Sequence, residues 1–189
     1  MAHFTALYDA CVLYPAPLRD FLMQLALTDL FRAKWSNLIH DEWINNLLED
    51  RPALTREKLE RTRRLMNSHV RDCLVENFEL LIPSIKLPDL NDRHVVAAAI
   101  VSRTDVIVTY NLRDFPKDAL APYGLEAQHP DTFIRHLIDL SSEMVYRAAQ
   151  TCHQRLRNPP KSLDEFLITL EQQRLPQTTR ILGTLMGSP

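Results

Sequence analysis

Six polar side chains in this chain are of the kind that handle a hard cation and a phosphate: Asp9, Glu42, Asp89, Asp92, Asn111 and Asp114. Asp9 follows the apolar run Phe4-Thr-Ala-Leu-Tyr8. Asp89 and Asp92 stand before the apolar stretch Val95 to Val101, and Asn111 and Asp114 follow the β-branched run Val106-Ile-Val-Thr-Tyr110. Carboxylates gathered at one place repel one another unless a divalent cation holds them. Hard oxygen donors suit Mg²⁺ or Mn²⁺, which keep several waters and take few protein ligands. An ion so held activates a water and steadies the charge that develops in phosphodiester hydrolysis, with no covalent nucleophile. Each residue also has an ordinary structural reading. Asp-x-x-Asp before an apolar run is a helix-capping pattern. Asp9 and Asp114 suit turns, and Glu42 suits a solvated helix position.

Competing chemistries lack their residues. The three glycines (Gly124, Gly183, Gly187) cannot write a P-loop or a GxGxxG turn. There is no GxSxG for a serine hydrolase. The histidines (His3, His40, His69, His94, His129, His136, His153) are scattered with no HxxxH pair, so no zinc site is expected. His94 lies two residues past Asp92, within reach of the acids, although a surface or capping role is its ordinary reading. Cys11 has no basic neighbour in sequence to make it a nucleophile.

These acids must be positioned by the elements around them. Phe4–Tyr8 reads as a first strand with Asp9 at its carboxyl end, followed by a loop through Pro17. Apolar residues at helical spacing predict a helix from Leu18 to Phe31, then a short strand over Ala33–Trp35. Ser36 or Asn37 caps a helix to about Asp50 that carries Glu42. A helix over Thr55–Cys73 carries six basic residues (Arg56, Lys58, Arg61, Arg63, Arg64, Arg71) against three acids. It either tracks RNA phosphates or presents a solvated face of charge pairs. Phe78–Pro83 reads as a turn or minor strand. The stretch after Asp92 reads as a helix buried on nearly all sides, Val106–Tyr110 as a fully buried strand, and Leu125–Gln128 as an edge strand. From Pro130 the pattern is helical. Asp131 caps one helix, Ser141 or Ser142 the next, Ser162 with Glu165 forms a capping box, and Pro176 starts the last. The alternation predicts an α/β fold with three layers and a mainly parallel central sheet, plus an all-helical C-terminal extension. The division is 1–130 and 131–189. In such sheets, sites form at the carboxyl ends of strands.

Bulk properties agree with a globular chain. It has 189 residues, 46% of them hydrophobic, and a net charge of −2, which leaves room for a local basic strip but not a basic coat. Three cysteines without CxxC spacing suggest a reducing, cytoplasmic setting. No apolar run approaches a membrane span.

Leu7-Tyr-Asp9-Ala-Cys-Val, Asp89-Leu-Asn-Asp92-Arg-His-Val-Val-Ala-Ala-Ala and Val106-Ile-Val-Thr-Tyr-Asn111-Leu-Arg-Asp114-Phe-Pro resemble, in order and spacing, three motifs of PIN-domain nucleases, and more narrowly of VapC-type toxins. Glu42 falls where that family places its second acid. The resemblance covers residues 1 to about 130. It implies a Mg²⁺- or Mn²⁺-dependent ribonuclease with Asp9, Glu42 and Asp92 holding the metal, and with Asp114 or Asn111 orienting the attacking water or a second ion. Asn111 stands in a slot that many relatives fill with Asp, which shifts the fourth ligand to Asp114. The resemblance also implies an RNA substrate and a VapB-like antitoxin that covers the site. The helical tail resembles extensions of some bacterial VapC-like proteins and could pack, form a homodimer or bind RNA. The rivals are a housekeeping PIN nuclease and a catalytically weak PIN-like binding or scaffold protein.

Overall fold

The computed structural model describes residues 4–187; His3 lies outside them. In chain order the elements are β1 (Thr5–Tyr8), α1 (Ala10–Leu13), α2 (Ala16–Ala26), β2 (Arg32–Ser36), α3 (Asn37–Asp50), α4 (Arg56–His69), β3 (Leu74–Val75), α5 (Arg93–Val101), β4 (Val106–Val108), α6 (Lys117–Leu120), β5 (Glu126–Gln128), α7 (Pro130–Leu140), α8 (Ser142–Arg155), α9 (Leu163–Glu171) and α10 (Pro176–Met186). Short 3₁₀ turns occupy Glu79–Ser84 and Ala121–Tyr123. By mutual contact they form two units: 1–14 with 31–129, and 15–30 with 130–189.

The first unit is the α/β layer structure. Its five strands are parallel, in the order β3-β2-β1-β4-β5. β1 is buried along its whole length, and so is the Val-Ile-Val of β4, as expected of strands covered on both faces. The path moves outward from β1 through β2 to β3, then returns to β4 on the other side of β1. With right-handed crossovers, α3 and α4 lie on one face and α5 on the other, which gives the three layers. The reversal between β1 and β4 is the switch point at which α/β sheets open a crevice beyond their carboxyl ends.

Local chemistry sets the element ends. Ser36 caps α3, its hydroxyl accepting from the Ile39 N–H at 3.2 Å, and Thr55 caps α4. A buried network ties α4 to the sheet and to α3. The Trp35 indole donates to Asn67 Oδ1 at 2.7 Å, the Trp43 indole donates to His40 Nδ1 at 3.0 Å, and His40 Nε2 faces the same Asn67 oxygen at 3.0 Å. With Nδ1 accepting, Nε2 carries the proton and donates to Asn67. The basic helix is partly spent on pairs. Arg63 bonds Asp41 at 2.8 Å and Asn37 at 2.5 Å, and Arg56 bonds Asn45 at 2.8 Å.

Several expected boundaries move. The loop after Asp9 contains the one-turn helix α1. The helix expected over 18–31 runs from Ala16 to Ala26, because a turn with Asp29 at φ 57° ends it and Phe31 stacks on Phe4 at 5.7 Å. Phe78–Pro83 is no strand; most of it lies in a 3₁₀ turn. The strand beside β2 is Leu74–Val75, two residues defined by pairing alone, too short for any periodicity to reveal.

In the second unit α2 packs on α8, and α7 packs on α8 and α10. Ser141 caps α8 and the Ser162–Glu165 capping box is complete. Asp131 lies in the first turn of α7, and its carboxylate caps a different helix from the one expected. It accepts from the Gln177 and Thr178 N–H groups at 3.1 and 2.9 Å, the first turn of α10, where Leu175 offers no side-chain cap. Among the described residues no helix is long and apolar enough to cross a membrane.

Candidate metal centre

Register brings the first acid into place. Tyr8 pairs with Val108, so Asp9 and Thr109 stand side by side just past the ends of β1 and β4. Asp9 is 2% exposed. Its carboxylate accepts from the Ala10 N–H at 2.7 Å, the Cys11 thiol at 3.0 Å and the Thr109 hydroxyl at 2.7 Å. Burial raises its pKa, these donors pull it back, and the charge of Glu42 raises it again. Cys11 and Thr109 are themselves fixed. The thiol sulfur accepts from the Tyr110 N–H at 3.2 Å and the hydroxyl from the Asn111 N–H at 2.9 Å. Burial, then the Asp9 charge, pushes the Cys11 thiol pKa up, so it serves as a donor and is no nucleophile.

Asp92 stands at the N-terminus of α5. Its side chain makes no capping bond there, although it is only 8% exposed. Burial, then the charges of Asp9, Asp89, Glu42 and Asp114, pushes its pKa up to about 7. The turn role falls to Asp89, which is exposed and accepts from the Asn91 N–H at 2.8 Å. Helices that follow or precede parallel strands start at the carboxyl edge of the sheet, and this brings the first turns of α3 and α5 to one rim. Glu42, on the second turn of α3, meets His94 of α5 with Oε2 3.3 Å from Nε2. Asp114 is half-buried in the turn after β4, its N–H donating to the Asn111 carbonyl at 2.9 Å. Asn111 is exposed and shapes that turn through its backbone.

The structure thus sets Asp9, Glu42, Asp89, Asp92 and Asp114 in one electrostatic field, and gives the Asn111 side chain no hydrogen bond to any of them. Among the described residues, no three acidic, histidine or cysteine side chains are gathered closely enough to hold one ion as they stand. The acids share a field without sharing a coordination sphere. The donor set is all-oxygen and anionic, which fits a hard divalent cation.

Three residues here escaped the sequence reading: Thr109, Cys11 as a donor, and His94 as a partner of Glu42. Thr109 carries one usable signal, a hydroxyl at the carboxyl end of a buried strand. The other two depend on register and helix placement.

A family model described as PIN domain matches residues 5–113, more than half the chain. The chain belongs to the PIN-domain family. Beyond the PIN domain, a second model described as VapC50 C-terminal domain matches residues 130–184, the helical region that begins with α7. A curated relative, a putative ribonuclease VapC50 from Mycobacterium tuberculosis, is 42% identical over 86 residues, 46% of this PIN-domain chain and 50% of the relative. The match therefore spans about half the length of that relative. The solved structure of VapBC-1 from nontypeable Haemophilus influenzae matches with a TM-score of 0.46 at 14% identity, covering 67% of this chain and 98% of that one.

Proposed function

We propose that this PIN-domain chain is a metal-dependent endoribonuclease that hydrolyses RNA phosphodiesters, and that it is the toxin of a VapBC-type pair. The observation that carries the reading is Asp92: buried at a helix start, spared the capping bond, and under the charge of four other carboxylates. Such an arrangement costs stability and gains nothing structural, which fits a group kept for cation binding. Asp9, Glu42, Asp92 and Asp114 would hold Mg²⁺ or Mn²⁺. When bound, such an ion lowers the pKa of water and offsets charge on the phosphate.

The chain's own residues do the positioning. Three donors lock the Asp9 carboxylate in one orientation, so little reorganisation is left for the reaction. The turn at Asn111–Asp114 fixes the backbone of Asp114, whose charge bears on Asp92. A VapB-like antitoxin is the partner this reading implies, and the match to the VapC50 C-terminal domain supports it. A cytoplasmic setting follows from the same assignment.

The test is cleavage of a mixed RNA pool by wild type and Asp9→Asn, with Mg²⁺, with Mn²⁺ and with EDTA. Wild type is expected to cut, to stop in EDTA, and to exceed the variant by on the order of 10²-fold or more. Equal cutting by both proteins, or cutting that survives EDTA, defeats the reading.

A further inference from the structure

His94 touches an acid of the site. It lies on α5, two residues past Asp92, and its Nε2 is 3.3 Å from Glu42 Oε2 on α3. The side chain is 13% exposed, and Nδ1 is buried without a hydrogen-bond partner. Nε2 must carry a proton, because a lone pair facing the Glu42 carboxylate would be repelled. The ring therefore donates to Glu42 through Nε2, and its other nitrogen stays unsatisfied whether it is protonated or bare. A buried polar atom left without a partner is destabilising. A residue selected for packing between α3 and α5 would carry no such cost, since an apolar side chain of similar size fills the same space.

We infer that His94 is a positioning residue for metal binding: it clamps Glu42 across from Asp92 and so couples the two acid-bearing helices at one rim. This rests on the proposed metal-dependent reading. Two physical effects support it. A donor on one oxygen of a carboxylate fixes its rotamer and leaves the other oxygen for a cation, the role that hydrogen-bonding partners of metal ligands play. Glu42 also has more rotamer freedom to lose than the aspartates. It projects from the second turn of α3 on a longer side chain, and the His94 ring is the group that meets its carboxylate.

The test uses the full chain and Mn²⁺ alone, by calorimetric titration of wild type, His94→Leu and His94→Gln, with thermal melts of each in EDTA. Glutamine keeps an N–H that reaches Glu42, and leucine removes it. His94→Leu is expected to weaken Mn²⁺ binding by about tenfold or more, with a melting temperature equal to or above wild type. His94→Gln is expected to stay within about threefold. Unchanged Mn²⁺ affinity in His94→Leu overturns the inference while the metal reading stands. A large loss of melting temperature in His94→Leu, with glutamine no better, overturns it in favour of a structural role. Failure of wild type itself to bind Mn²⁺ defeats the metal reading, and the positioning role falls with it.

Discussion

Two buried aspartates, one in each unit, show how the same side chain serves opposite ends. Asp131 is 3% exposed and Asp92 8%. Asp131 ends on backbone N–H groups of α10, with the Gln177 side-chain amide added at 3.3 Å. Its charge sits where the orphan donors and the positive end of the helix dipole favour it. Asp92 stands at a helix start as well, yet its carboxylate makes no bond to it, and four like charges bear on it. One carboxylate stabilises the fold; the other is tolerated by it. Burial does not separate the two cases. The partners do.

The contrast can be broken in order of effect. Asp92→Asn should reduce RNA cleavage on the order of 10³-fold, about 4 kcal/mol in the barrier, while the fold persists. Retained cleavage would place Asp92 outside the chemistry. Asp131→Ala should lower stability by about 3 kcal/mol in a urea melt, since it removes charge-assisted bonds and strands the N–H groups of Gln177 and Thr178. An unchanged midpoint would mean that water replaces the cap without loss.

Asp92→Asn should also raise stability, and the sign follows from its titration. The unfolded carboxyl ionises near 3.8, whereas the folded one keeps its proton to about 7. Between those values the folded state binds more protons, so wild-type stability falls as pH rises through that window. Removing the charge should gain about 1–2 kcal/mol at pH 8, after allowance for solvent screening in a cleft. The gain should shrink by pH 5 and vanish near pH 4. A gain that does not vary with pH would assign the effect to something other than this ionisation. The smallest effect is expected at Asp89, whose turn bond an asparagine can also accept. Asp89→Asn should change stability by less than about 0.5 kcal/mol and leave Mn²⁺ affinity within about threefold of wild type. A tenfold loss of Mn²⁺ affinity would bring Asp89 into the ligand set.

Much of the fold is legible along the chain because its signals are local. The β-branched run of β4, the alanine-rich α5, and the caps at Ser36, Ser141 and Ser162 each concern residues within a few positions of one another. Leu74–Val75 was not legible, because pairing with β2 alone makes it a strand. The acids were legible as residue types at strand ends and helix starts. Their supports were not. Thr109 reaches Asp9 across 100 positions and His94 reaches Glu42 across 52.

The sequence by itself determined most of the element types, the parallel sheet that follows from their alternation, and the polar residues that follow strands and begin helices. Periodicity, propensity and capping act over one or two turns and need no distant partner. The tertiary structure alone decided that Asp92 is free of its helix while Asp131 caps another, that α2 belongs with the C-terminal helices, and that Cys11, Thr109 and His94 hold the acids. Each of these depends on register and helix placement, where a shift of one residue turns a side chain to another face and gives the same aspartate a different partner.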